Sequence, residues 1–170
     1  LGAAYDRARG DGEVPFCVVA TAGTTTAGAV DPIADIAVFA RERGLWLHVD
    51  AAYGGAAILS PKRRAILTGV HLADSITFDP HKWMAVAGTC AMLLLRDTSL
   101  QDHLFRISSP YMNPAHGLTN LGEISIPGTR YPDVLKLWAS MLHLGQSGYE
   151  RFIEHGFSLS NRCVRLVRAT

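Results

Sequence analysis

The sequence predicts an α/β protein: a mainly parallel sheet with one antiparallel strand and helices on both faces. Three observations predict it. Short, nearly continuous apolar runs recur at Phe16 to Thr21, Leu45 to Val49, Ser75 to Phe78 and Thr89 to Leu95. Such runs suit strands buried under helices. Between the first two, Ile33, Ile36, Ala37 and Ala40 follow helical spacing, and strand, helix, strand, crossover, strand is the order of a parallel sheet with right-handed crossovers. Only a few residues join Lys82 to the run at Thr89, too few for a parallel crossover, so the fourth strand runs antiparallel to the third.

The elements follow in order. Leu1 to Gly12 reads as the last turns of a helix closed by Gly10-Asp11-Gly12. Pro15 opens the first strand, and Ala22 to Gly28 is the loop after it. Asp31-Pro32 predicts a helix start, with Asp as N-cap and Pro at the first helical position. Gly44 ends that helix at the glycine position such ends favour. A looser segment follows the second strand, with a short helix near Pro61 to Leu67, then the third strand. Asp97 to Phe105 is read as a short helix. Arg106 to Gly122, rich in Ser, Pro, Asn, Gly and His and without period, is read as a long loop, a class that is commonly functional. Pro132 starts a helix carrying Leu135, Trp138, Met141 and Leu142 and ended by Gly145. Another begins near Gly148, with Tyr149, Phe152, Ile153 and Phe157 on its apolar stripe.

Composition bounds the class. A chain of 170 residues is about one domain. Charged residues make up 18% of it, against about 25% in an ordinary soluble domain, which implies surface covered by something else. The net charge is +1 without a basic run, so nothing points to nucleic acid. No apolar stretch approaches the ~20 residues of a membrane span, and no signal peptide opens the chain. Cys17, Cys90 and Cys163 lack CxxC spacing and are read as reduced thiols of a cytoplasmic protein. The seven histidines show no metal-ligand spacing, so no metal is expected. The chain opens without Met, inside a helix end, and stops inside an amphipathic helix. It is read as a fragment of a longer protein.

The chemistry centres on Asp79-Pro80-His81-Lys82-Trp83, between the third and fourth strands. Lysine is rarely buried unless paired or chemically used. In dry surroundings its amine loses part of its preference for the charged form and becomes a nucleophile toward a carbonyl. The obvious carbonyl is pyridoxal 5′-phosphate (PLP), which forms a Schiff base with a lysine and needs an acidic partner at its ring nitrogen. Asp50, in His48-Val49-Asp50-Ala51-Ala52-Tyr53-Gly54-Gly55, supplies that carboxylate. Thr25, Asp50 and Lys82 each lie just past the carboxyl end of a strand, where open α/β sheets bind ligands. The simpler readings are a turn lysine, a strand-end Asp that caps the next turn, and a core or supporting role for His48. Gly54-Gly55 is read as a turn requirement.

Together, ATAGTTTAGAVDP, HVDAAYGG and DPHKW, in that order and spacing, resemble the group II PLP-dependent amino-acid decarboxylases. That family includes the aromatic-amino-acid, glutamate and cysteine-sulfinate enzymes. The resemblance runs from about Val14 to the last residues. It implies the large domain of a fold-type I PLP enzyme over residues 1–146, with 147–170 starting the helix toward a C-terminal small domain. It implies PLP held covalently on Lys82, with Asp50 at the ring nitrogen and Thr25 and Ala52 lining the ring. His81 lies near the cofactor by resemblance, and as a bare histidine it suits a structural role equally. Asp79 stands where the family often has Asn near the phosphate, and an acid there is unfavourable unless it points away. Tyr111 matches the loop tyrosine that returns a proton to the α-carbon.

The implied reaction converts an L-amino acid to its amine and CO2, in a homodimer. HKW and the triple Thr look like the aromatic branch, whereas GAVDPI, YGG and LLLRDTS look like the glutamate and cysteine-sulfinate branch. Two alternatives stand beside it. One is a same-fold enzyme with other chemistry, such as an aldehyde synthase. The other is a non-catalytic chain, either a degenerate paralogue or a packing fragment.

Overall fold

The computed structural model describes residues 1–106 and 122–169. Its centre is a four-stranded sheet in the order β1 (Cys17–Thr21), β2 (Trp46–Asp50), β3 (Ser75–Phe78) and β4 (Met92–Leu95). The first three strands are parallel, and β4 pairs antiparallel with β3. The expected topology is therefore observed, with boundaries within a few residues.

The helices are α1 (Gly2–Gly10), α2 (Ile33–Glu42), α3 (Ser99–Leu104) and α4 (Asp133–Arg168). Helix α2 follows Pro32, and Gly44 beyond it has φ +63°, the left-handed conformation glycine adopts without strain. The expected Asp31 cap is not made. Asp31 Oδ2 instead accepts the Thr21 backbone N–H at 2.8 Å, and the Asp31 N–H donates to the Thr21 carbonyl. The end of β1 offered those partners first, so Asp31 closes the strand's loop rather than capping the helix. Three short 3-10 turns, Gly54–Leu59, Arg64–Leu67 and Val70–Leu72, make up the looser segment after β2.

The two helices expected after Pro132 form one run broken at Gly145, where φ is 59° and ψ 180°. That conformation belongs almost only to glycine. The second half of α4 is anchored by buried Tyr149 and Ile153, which pack with Ala56, Met84, Val86 and Cys90.

The main core lies on one face of the sheet. Ala20, Leu47, Val49 and Ala51 pack there against Ile33, Ala37 and Ala40 of α2, with Val18 and Ile76 beside them. Period-2 alternation sends Val19, Trp46, His48, Asp50, Ser75, Thr77 and Leu93 to the other face. Val19 is 56% exposed and Leu93 53% exposed. Among the described residues, α2 is the helix that packs on the core face of the sheet, and no helix is long and apolar enough to cross a membrane.

Candidate active site

The carboxyl ends of β1, β2 and β3 are aligned by register. Thr21 pairs with Asp50, and Asp50 pairs with Thr77. The loops leaving these ends carry the expected site residues. The β1 and β2 loops are tied together: the Ala22 N–H donates to the Asp50 carbonyl at 2.7 Å and the Gly54 N–H to the Ala22 carbonyl at 3.0 Å. A Cβ on Gly54 would lie 2.3 Å from that carbonyl oxygen, and one on Gly55 would lie 2.5 Å from the Phe78 ring. The glycine pair therefore serves close approach rather than a turn.

Asp50 ends β2 half-buried. Its Oδ1 accepts the Ala52 N–H at 3.1 Å, and its Oδ2 has no hydrogen-bond partner among the described residues. The capping role and a free carboxylate oxygen thus coexist. Lys82 lies in the loop after β3, with Nζ 2.9 Å from Asp79 Oδ2. The lysine side chain is 40% exposed, so the dry surroundings expected for it are not supplied by the described residues. It leaves the sheet edge on an open loop, and the carboxylate beside it replaces burial as its partner. Asp79, 11% exposed, turns one oxygen to that ammonium, while its Oδ1 is buried without a hydrogen-bond donor among the described residues.

His81 is half-buried, with Nδ1 2.7 Å from the Cys90 carbonyl oxygen and 3.2 Å from the Cys90 nitrogen. The shorter contact favours an Nδ1–H that donates to the carbonyl, which leaves Nε2 an acceptor. Burial pushes the Cys90 thiol above its ordinary range, helped by the charge of Asp133. Ala52 is half-buried beside Asp50, and Thr25 is exposed in the loop after β1. Tyr111 lies outside the described residues. Asp50, Ala52, Asp79, His81 and Lys82 thus belong to neighbouring loops at one edge of the sheet, with Thr25 at its rim.

Two arrangements were not legible from the sequence, although His48 reads there as a core or supporting residue. Trp83, next to the lysine, stacks on Tyr53 at 5.6 Å and meets the Phe157 ring at 5.3 Å. A Cβ on Gly156 would lie 3.2 Å from its Nε1, so the tryptophan ties the lysine loop to α4. The second is a polar row, Trp46, Ser75, His48 and Thr77, on the face that carries Asp50. Its signal was the alternation of polar residues in Trp46–Asp50 against that in Ser75–Phe78.

The residues present fit PLP. A solvent-reachable primary amine and a carboxylate with a free oxygen stand past adjacent parallel strands, and Asp79 is turned to the amine rather than toward an anion. Among the described residues no cluster of His, Cys, Asp or Glu has metal-site geometry.

Comparison with known proteins agrees. The conserved domain of pyridoxal-dependent decarboxylases matches residues 1–170. L-2,4-diaminobutyrate decarboxylase of Acinetobacter baumannii is 42% identical over 164 residues, which is 94% of this chain and 32% of that protein. The crystal structure of mouse CSAD in apo form superposes with a TM-score of 0.91 at 38% identity, covering 98% of this chain and 35% of that one. That of Rhodiola rosea 4-hydroxyphenylacetaldehyde synthase has a TM-score of 0.84 at 34% identity, covering 99% and 35%. The chain therefore spans about a third of the length of such relatives.

Proposed function

Since this chain belongs to the pyridoxal-dependent decarboxylase family, we propose that it carries the lysine and the carboxylate with which a longer enzyme decarboxylates an L-amino acid to its amine. The observation that carries this reading is the placement of Asp50 and Lys82 at the carboxyl ends of adjacent parallel strands, with Asp50 Oδ2 unpartnered among the described residues and Lys82 Nζ solvent-reachable in its ion pair with Asp79. When bound, PLP supplies the electron sink for loss of CO2 from the substrate's α-carbon.

The chain's own residues do the rest. Lys82 Nζ would hold the cofactor covalently, which requires its release from the ion pair with Asp79. Oδ2 of Asp50 would hold the ring nitrogen, while its Oδ1 is held by the Ala52 N–H. Ala52 and Thr25 border the ring. His81, with its ring edge locked on Cys90, offers Nε2 to the reacting groups. Tyr111 returns the proton to the α-carbon. Residues 1–146 form part of the cofactor-binding domain, and α4 beyond the Gly145 break leads toward a small domain. The assembly is a cytoplasmic homodimer, and the 170-residue chain alone is expected to be inactive.

The substrate is a small L-amino acid, aromatic or acidic by the motifs. A second reading, oxidative conversion to an aldehyde, is favoured by the likeness to the Rhodiola synthase. The test uses the full-length protein with PLP. Borohydride should fix the cofactor on Lys82, and a substrate panel should release CO2 with amine. Label on Lys62 or Lys136 would overturn the site, and aldehyde with H2O2 in place of amine would select the second reading.

A further inference from the structure

The polar row on the open face of the sheet has a direction, and the direction follows from hydrogen-bond chemistry alone. Trp46 Nε1–H can only donate, and it lies 2.8 Å from Ser75 Oγ. Ser75 is buried, at 5% exposure, and its hydroxyl hydrogen needs an acceptor. The acceptor within reach is His48 Nδ1, 2.8 Å from the same oxygen. A neutral imidazole that accepts at Nδ1 carries its proton on Nε2. His48 Nε2–H then donates to Thr77 Oγ1 at 3.0 Å. The Thr77 hydroxyl, having accepted, is left to donate. Its directly paired neighbour on the same face is Asp50, one strand spacing away, about 4.8 Å; no hydrogen bond joins the two side chains in this structure, and Oδ2 of Asp50 has no partner among the described residues.

We propose that His48 is a positioning residue for Asp50: a one-way chain of hydrogen bonds from Trp46 through Ser75 and His48 sets the Thr77 hydroxyl to donate to the Asp50 carboxylate. The proposal rests on the reading of Asp50 as the partner of the cofactor's ring nitrogen. A carboxylate held only through Oδ1 by the Ala52 N–H can rotate about its side-chain bonds. A second donor from β3 fixes its plane against the rigid sheet, so that the oxygen facing the ring nitrogen keeps one place. None of these four residues needs to touch the cofactor. Chains of this kind gain when every member is satisfied and lose as a unit when one is removed.

Two measurements test it. The first needs no cofactor: in full-length protein carrying 15N-labelled histidine and stripped of PLP, the His48 ring should show a protonated Nε2 and a bare Nδ1. A proton on Nδ1 reverses the chain and overturns the proposal, whatever the enzyme catalyses. The second uses the loaded enzyme. Loss of a hydrogen bond to a charged group predicts that Thr77→Val lowers kcat roughly ten- to a hundredfold, with KM nearly unchanged. The visible absorbance of the cofactor should shift as well. Thr77→Ser, which keeps the hydroxyl, should restore both. His48→Phe should mimic Thr77→Val, and if it fails to fold, the threonine pair carries the test. An unaltered spectrum and kcat in Thr77→Val would sink the proposal. Failure of the functional reading has a different signature: the parent enzyme takes no borohydride label on Lys82, while the tautomer of His48 still reports the direction of the chain.

Discussion

Asp50 is placed where removing it separates chemistry from folding. It ends β2 and makes one side-chain hydrogen bond, to the Ala52 N–H. Asp50→Ala should therefore cost about 1–3 kcal/mol of stability, too little to unfold the domain. Turnover should fall by a hundredfold or more, on the order seen when a group that stabilises developing charge is lost. Chemical denaturation and steady-state rates on the full-length enzyme measure both, and near-normal turnover would falsify the role. Tyr111 lies outside the described residues, and its proposed role follows from chemistry. After CO2 leaves, the carbanionic centre needs a proton from a positioned acid. Tyr111→Phe should keep substrate binding and CO2 release but divert product from amine to aldehyde with oxygen uptake. The product ratio in air and under nitrogen checks this, and clean amine at the parent's rate would turn attention to His81.

At the scale of elements, glycines separate close packing from simple chain ends. Gly54→Ala drives a Cβ against the Ala22 carbonyl, where backbone cannot yield cheaply, and should destabilise by about 1–3 kcal/mol. Gly10, at the end of α1 with open space around it and no positive φ, should gain about 0.4–1 kcal/mol on Gly10→Ala. Urea midpoints compare the two. A clamp joins α4 to the segment after β2: Glu154 accepts from Arg63 Nε and Nη2 at 3.1 Å each and from Ser60 Oγ at 2.5 Å. The Arg63 hydrogen bonds, then the Ser60 one, hold the Glu154 carboxyl below the ordinary glutamate range. The sign follows from linkage. A carboxyl with a lowered folded-state value contributes its full stability above the unfolded value, about pH 4.3, and loses it as pH falls through the lowered one. Protection factors in the second half of α4 should therefore fall in that acid window, and Glu154→Gln should remove the dependence. An unchanged pH profile in that variant would exclude the clamp as its cause.

Among the described residues, two apolar surfaces stand uncovered. One is the sheet face with Val19 and Leu93. The other is the first half of α4, where Leu135, Trp138 and Leu142 are exposed, Trp138 at 61%. Exposed apolar clusters of this kind mark interaction surfaces, and low overall charge accompanies them. The proposed homodimer supplies part of that cover by a symmetric interface. Sedimentation of the full-length protein should show a dimer at low concentration, and Trp138→Asp should shift it toward monomer with loss of activity. A parent enzyme active as a monomer would remove the dimer from the mechanism.

Much of this was legible in the order of residues. Apolar runs, their spacing and the short link before β4 determined strand number and direction, because pairing direction depends on connection length and hydrophobic period. The same pattern put Asp50 and Lys82 at strand ends, the edge where such sheets bind ligands, and the structure places both there. Partners were not legible. Asp31 chose the end of β1 over α2, Asp79 chose Lys82, Gly54 met the Ala22 carbonyl, and Trp83 reached Phe157 on α4. Each joins positions whose meeting depends on how the loops cross in space, or on which of several nearby partners packing leaves within reach. The polar row on β2 and β3 shows the same division. Alternation within each strand was already in the sequence, but only the register that sets His48 between Ser75 and Thr77 gave the hydrogen bonds a direction.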